Sequence, residues 1–123
     1  MAAAVDPRNF RQYGVPGAAQ HQAMSGYLIA DVTAINDPGL YGRYQSLVPP
    51  SLRAFNGSYL AGGGDVTVLE GGWHPRRLVI VRFENAARAA AWWDSDQYRE
   101  ARGMRQAATR TNMIVVEGTQ HGH

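Results

Sequence analysis

A chain of 123 residues, 45% hydrophobic and 18% charged, has the length of one domain and the composition of a globular protein, which excludes two ordinary domains or a disordered chain. Its formal net charge of +2 rests on arginine alone, with no lysine, no run of like charge and no broad basic stripe, so nucleic acid is not an expected partner. Cysteine is absent, which rules out disulfides, thiolate nucleophiles and cysteine metal sites, and no apolar run approaches the ~18 residues of a membrane span.

Residues 1–24 are rich in Ala, Gly, Pro and Gln without a clear period. They read as an N-terminal arm, flexible or packed on a partner. The arm lacks the apolar centre of a signal peptide, and a cysteine-free chain suits a reducing compartment, so a cytoplasmic location is expected. "GYLIADVTA" (26–34) is apolar and β-branched with no breaker, which predicts a strand. Asp37 as N-cap and Pro38 at the first helical position open a helix over "PGLYGRYQSL" (38–47). Pro49-Pro50 is expected to interrupt it, with a short helical turn at "PSLRAF" stopped by Asn56-Gly57. "SYLAGG" (58–63) is a second strand, "GGGD" (62–65) a bend or bulge, and "VTVLEGG" (66–72) a continuing or returning strand. "RLVIVRF" (77–83) is the third long strand. Asn85 caps the helix "AARAAAWW", Asp94-Ser95 breaks and recaps it, and "DQYREARGMRQAAT" continues it past a weakening Gly103. "NMIVVEG" (112–118) is the last strand and 119–123 a tail. The order is β-α-β-(β)-β-α-β over residues 25–118, with a strand, an Asx cap and a helix occurring twice. That is the split-βαβ, ferredoxin-like α+β sandwich, an antiparallel sheet with helices on one face.

The strands are too apolar for that plan alone. Leu28, Ala30, Val32 and Ala34 form one face of the first strand, and Tyr27, Ile29, Asp31 and Thr33 the other. Val79, Val81 and Phe83 oppose Leu78, Ile80, Arg82 and Glu84 in the third, and Met113 and Val115 oppose Ile114 and Val116 in the last. One face is fully apolar and the other about half so, whereas a sheet open to water alternates more cleanly. At about 25 cal/mol per Å² a wet face of a few hundred Å² forfeits several kcal/mol, comparable with a domain's net stability. A second copy of the chain is the expected cover, since twofold dimers are the commonest assembly. The alternative is the arm, laying Phe10 and Tyr13 over that face.

"GYLIADV…NDPGLYGRY", "LEGGWHPRRLVIVRF" and "AAWWDSDQYREARGMR" together resemble domain-of-unknown-function family 1330 across about residues 25–118. The matching positions are Asp37-Pro38, Tyr44, Gly57, Glu70-Gly71, Arg77, Phe83, Ala89, Trp92, Ser95, Tyr98, Arg105 and Glu117-Gly118. Gly62 and Arg82 depart from the pattern. The resemblance implies a dimeric α/β barrel, in a superfamily that includes antibiotic-biosynthesis-type monooxygenases, and brings no general activity with it.

Among candidate chemical groups, helix spacing from Trp92 selects Ser95, Tyr98, Arg102 and Arg105, at steps that share a face if the helix is continuous. Trp93 turns about 100° away from Trp92, so one tryptophan is expected in the core and the other at a cleft or interface; Ala89, one turn earlier, assigns the core to Trp92. Ser95 is expected to cap the second helical segment, and Tyr98 to be half-buried with a wet hydroxyl. Arg105 either holds a carboxylate in a pocket or pairs with Glu70 or Glu117. Asp31 and Arg82 sit at matching positions of two neighbouring strands, taken as parallel, and would pair, either as a structural ion pair or as a catalytic base with an anion holder. Tyr27 and Tyr44 would line the same cavity. The histidines at 21, 74, 121 and 123 have no metal-ligand spacing, and no phosphate loop or nucleophile elbow is present, so neither metal nor cofactor is expected. The reading is a small homodimer that binds an aromatic or acidic organic ligand beside the sheet, as a cofactor-less oxygenase or isomerase or as a non-catalytic binding or structural protein.

Overall fold

The computed structural model describes residues 24–119. The arm with Phe10 and Tyr13, the histidines at 21, 121 and 123, and nearly all of the tail lie outside the described residues. The elements are β1 (Gly26–Ile35), α1 (Pro38–Ala54), β2 (Ser58–Gly62), β3 (Arg77–Phe83), α2 (Ala86–Trp93), α3 (Asp96–Ala108) and β4 (Thr109–Glu117). The strands form one sheet in the order β2-β3-β1-β4, and every neighbouring pair is antiparallel. This is the ferredoxin-like α+β sandwich.

The three helix starts follow from their caps. Side-chain oxygens of Asp37, Asn85 and Ser95 accept from the backbone N–H groups of Leu40, Arg88 and Tyr98, each satisfying a donor that the first turn leaves open. α1 ends where Asn56 takes a left-handed φ of 57°, a conformation that Asn tolerates better than most side chains.

Two expectations do not hold. α1 runs unbroken through Pro49 and Pro50 to Ala54. The missing N–H groups cost the helix two bonds, but Val48, Ser51 and Leu52 all lie in the core, and burying that stripe outweighs the local loss. Residues 66–72 form no strand. Gly63, at φ 89°, turns the chain away, and β3 is already paired on both edges, with β1 and β2. The segment between β2 and β3 is instead an exposed loop, with Leu69 93% and Trp73 61% accessible.

The core lies on the face carrying Leu28, Ala30, Val81 and Phe83, against Tyr41, Tyr44, Leu52, Ala89, Trp92 and Tyr98 from the helices. The opposite face carries Tyr27, Ile29, Leu78 and Ile80, half-buried, and Ile114 and Val116, which are 57% and 46% exposed. The surplus apolarity foreseen for the second face is therefore present as accessible surface.

Candidate ligand cavity

Three turns of α1 present Tyr41, Tyr44 and Val48 to the sheet, at steps of three and four residues. From α3, the buried residues are Tyr98, Ala101, Arg105 and Ala108, at the same spacing. Between these side chains and the inner face of the sheet lies a cavity of about 280 Å³, near the lower end of the size of ligand sites. Its walls are mostly apolar, including Leu28, Val79, Val81, Met113 and Trp92, with Tyr41, Tyr44 and Tyr59 among them. Among the described residues two cations reach it, Arg77 and Arg105, and no acidic side chain lines it.

The aromatic wall is ordered from end to end. Phe83 lies 5.7 Å from Trp92, and Trp92 stacks on Tyr98 at 3.9 Å. Tyr98 meets Tyr44 edge-on, and Tyr44 stacks on Tyr41 at 5.6 Å. Trp92 Nε1–H donates to Ser51 Oγ at 2.9 Å, and Ser51 in turn donates to the Val48 carbonyl, so the indole is fixed by a polar contact within the core. At the other end Arg77 Nε–H donates to Tyr41 Oη at 2.8 Å, with the guanidinium over the Tyr41 ring. A Cβ on Gly63 would overlap the Arg77 guanidinium, so only glycine lets that side chain lie where it does.

Arg105 is 6% exposed. Its Nε–H donates to Tyr98 Oη at 3.2 Å, and Tyr98 Oη lies 2.9 Å from Tyr44 Oη. Among the described residues no carboxylate lies within ion-pair distance of its guanidinium. A buried cation without a counter-charge is costly, and is ordinarily balanced by a partner or a ligand. Burial is the main cause that pushes the Tyr44 phenol far above its ordinary pKa, with Tyr98 adding to the effect, so Tyr44 keeps its proton. Burial, with Tyr41 and Tyr98 adding, also raises Tyr59.

The residues singled out in the sequence divide between the two faces of the sheet. Tyr44, Trp92 and Arg105 line the cavity. Trp92 is 2% exposed while Trp93 turns outward, with Arg102 stacked over its ring and donating to its carbonyl. Arg102 therefore leaves the buried stripe, and Ala101 takes its place. Ser95 is the N-cap of α3 and does not line this cavity. Tyr98 is not half-buried with a wet hydroxyl: it is fully buried, because α1 packs over it and supplies the Tyr44 hydroxyl as partner. Arg105 bonds Tyr98 rather than Glu70 or Glu117. The first and third strands are antiparallel, not parallel, so Asp31 faces Leu78 and Arg82 faces Tyr27, and the two charges do not pair. Asp31 Oδ2 accepts from Trp73 Nε1 at 2.9 Å, and Arg82 donates to Ser25 Oγ. Tyr27, Asp31 and Arg82 share the outer face, on the opposite side of the sheet from Tyr44 and the cavity.

Residues 25–119 match the family described as a domain of unknown function (DUF1330). The chain belongs to that family. Among solved structures it is similar to a protein of unknown function from Rhodopseudomonas palustris, 18% identical with a TM-score of 0.65, covering 91% of this chain and 90% of that one. It is also similar to a hypothetical protein from Arabidopsis thaliana, 12% identical with a TM-score of 0.55, covering 84% and 96%. A dimeric ferredoxin-like protein of unknown function from Thermobifida fusca aligns more loosely, at 13% identity and a TM-score of 0.49 over 78% and 92% of the two chains. No curated protein matches the chain. The DUF1330 match spans the whole sandwich, cavity walls included.

Tyr41, Tyr59 and Arg77 line the cavity but carry no site role in the sequence, although Arg77 is among the positions that match the family. Tyr41 was within reach, since it lies three residues before Tyr44 on one helical stripe. Tyr59 and Arg77 reach the cavity only because β2 and the start of β3 are brought beneath α1, which no local pattern states. Among the described residues no group of acidic or histidine side chains is placed to hold a metal, and no helix is long and apolar enough to cross a membrane.

Proposed function

We propose that this chain is a small-ligand-binding homodimer, and that its cavity takes a small, largely apolar or aromatic organic acid. The observation that carries the reading is Arg105, a buried guanidinium opening into an apolar cavity that no acidic side chain lines among the described residues. The carboxylate of a ligand would supply the missing charge, a planar fork meeting a planar anion. Arg77 adds a second positive end. Binding rather than turnover is the better-supported role. Among the described residues no carboxylate or imidazole lines the cavity to act as a base, and Tyr44 is held protonated. Asp31, the base that a catalytic reading requires, lies on the other face.

A second copy of the chain is proposed to cover that other face. Support comes from the accessible Ile114 and Val116 beside the half-buried Ile29 and Ile80.

A thermal-shift comparison of carboxylates with their carboxamides tests the binding reading. Phenylacetate at a concentration about 100 times its Kd adds roughly 2.7 kcal/mol of apparent stability, and phenylacetamide adds little. Equal stabilisation by acid and amide would remove the case for Arg105 as the anchor. Light scattering tests the assembly: the expected mass is twice the 13.5 kDa of one chain, and a single-chain mass at micromolar concentration contradicts it.

A further inference from the structure

The hydrogen bonds among Arg105, Tyr98 and Tyr44 have a direction. Tyr98 Oη already accepts the Nε–H of Arg105. Tyr98 is fully buried, so its own hydrogen needs an acceptor inside the protein, and the Tyr44 oxygen at 2.9 Å is the one in reach. If Tyr44 donated to Tyr98 instead, the Tyr98 hydrogen would be stranded. The consistent arrangement runs from Arg105 N–H to Tyr98 O, from Tyr98 O–H to Tyr44 O, and leaves the Tyr44 O–H free. Tyr44 lines the cavity, so that free hydrogen is available to whatever occupies it. Each bond in such a series polarises the next, which makes the terminal hydroxyl a stronger donor than an isolated phenol. The high pKa of Tyr44 keeps the hydrogen in place over the working pH range.

The cavity therefore presents two kinds of donor to one ligand, the Arg105 guanidinium and the Tyr44 hydroxyl. They are no farther apart than two hydrogen bonds in series, of 2.9 and 3.2 Å. We infer that the acid bound here carries a carbonyl oxygen next to its carboxylate, a 2-oxo acid, with the carboxylate on Arg105 and the ketone oxygen accepting from Tyr44. Tyr98 touches neither oxygen and acts as a positioning residue that turns and polarises Tyr44. This rests on the reading that the cavity takes a carboxylate.

Benzoylformate and phenylacetate make a matched pair of probes, differing in a ketone against a methylene. Titration calorimetry on the full chain is expected to give benzoylformate binding roughly fivefold tighter than phenylacetate, the worth of one added hydrogen bond. Tyr44→Phe brings the ratio of the two affinities to about one, and that ratio, rather than either affinity alone, is the readout. Tyr98→Phe narrows the ratio to roughly twofold, whereas a merely structural role would weaken both acids alike and leave the ratio near fivefold. A measurement that needs no variant is the infrared ketone stretch of bound benzoylformate, expected at lower frequency than in water. Equal affinities in the unaltered protein, a preference that survives Tyr44→Phe, or an unshifted ketone band overturns the inference and leaves carboxylate binding standing. Failure of both acids to bind overturns the cavity reading and this inference with it.

Discussion

Replacing Arg105 by methionine should make the unliganded protein more stable, not less. The guanidinium is 6% exposed, makes one hydrogen bond to a phenol, and has no acidic neighbour among the described residues. A hydrogen bond from a charged donor returns about 1.5–3 kcal/mol, while taking an ion out of water costs several kcal/mol even after relaxation. Solvent in the cavity offsets part of that cost. Methionine keeps most of the side-chain length, adds apolar contact and leaves no polar atom stranded, because the Tyr98 hydroxyl still donates to Tyr44. The balance favours Arg105→Met by about 1–2 kcal/mol, or roughly 5–10 °C in Tm for a domain of this size. Thermal and urea unfolding followed by tryptophan fluorescence, at matched protein concentration and without ligand, measure it. The same variant should lose all stabilisation by phenylacetate. A variant that unfolds 1 kcal/mol or more earlier than the unaltered chain would refute the reasoning, since it would mean that the charge is already balanced in the free protein.

The Tyr44 phenol is raised above its ordinary value of about 10, so the folded state holds that proton where the unfolded chain releases it. Its contribution is complete below about pH 10 and is lost as the pH rises further; denaturant titrations should show stability falling above pH 10, less steeply in Tyr44→Phe, and parallel curves would contradict the burial. Gly26→Ala places a Cβ 2.5 Å from the backbone of Asn85 and Ala86, which cannot move without shifting the start of α2; a loss of roughly 1–3 kcal/mol in urea unfolding is expected. Ile114→Asp, at a side chain 57% exposed in one chain, should cost a lone protomer little but halve the mass seen by light scattering; an unchanged mass argues that the outer face is not the contact.

The sandwich was legible because its signals are local. Asp37, Asn85 and Ser95 are short polar side chains three residues ahead of a backbone N–H, and each caps the helix it precedes. The bounds of β3 and α2 follow from composition and caps alone. The passage of α1 through Pro49-Pro50 was not legible, because the burial of Val48 and Leu52 that outweighs it is tertiary. The site divided along the same line. Trp92, Tyr44 and Arg105 sit on helical stripes and could be picked by spacing. Asp31 and Arg82 drew attention as charges within strands, yet strand parity puts both with Tyr27 on the outer face. The parity was readable, since Leu28, Ala30 and Val32 are the wholly apolar set that helices must cover; the antiparallel direction of β1 and β3 follows from how the chain returns through α1 and β2, not from either strand's own pattern. The hydroxyl of Tyr98 was out of reach, because its partner comes from a helix 54 residues away.

A protomer taken alone has two unmet requirements of opposite chemistry. Among the described residues the cavity holds a cation without an anion, and the outer face holds apolar side chains without cover. The two are separated only by the sheet: Leu28, Val81 and Met113 of β1, β3 and β4 face the cavity and Ile29, Ile80 and Ile114 of the same strands the outer side, with β1 between the other two. Coupling between sites requires an element with two arrangements that both occupants bias. β1 is the wrong kind of element for that, being hydrogen-bonded to β3 on one side and β4 on the other over most of its length. Arg105 and Tyr44, the groups expected to grip the acid, stand on helices and not on the sheet. Ligand binding should therefore leave assembly untouched: saturating phenylacetate is expected to change the dimer dissociation constant by less than about twofold, a coupling near 0.4 kcal/mol or below. Sedimentation across a dilution series, with and without the acid, reads this directly. A shift of tenfold or more would mean that occupying the cavity reshapes the outer face, and that the two sides of the sheet work as one device.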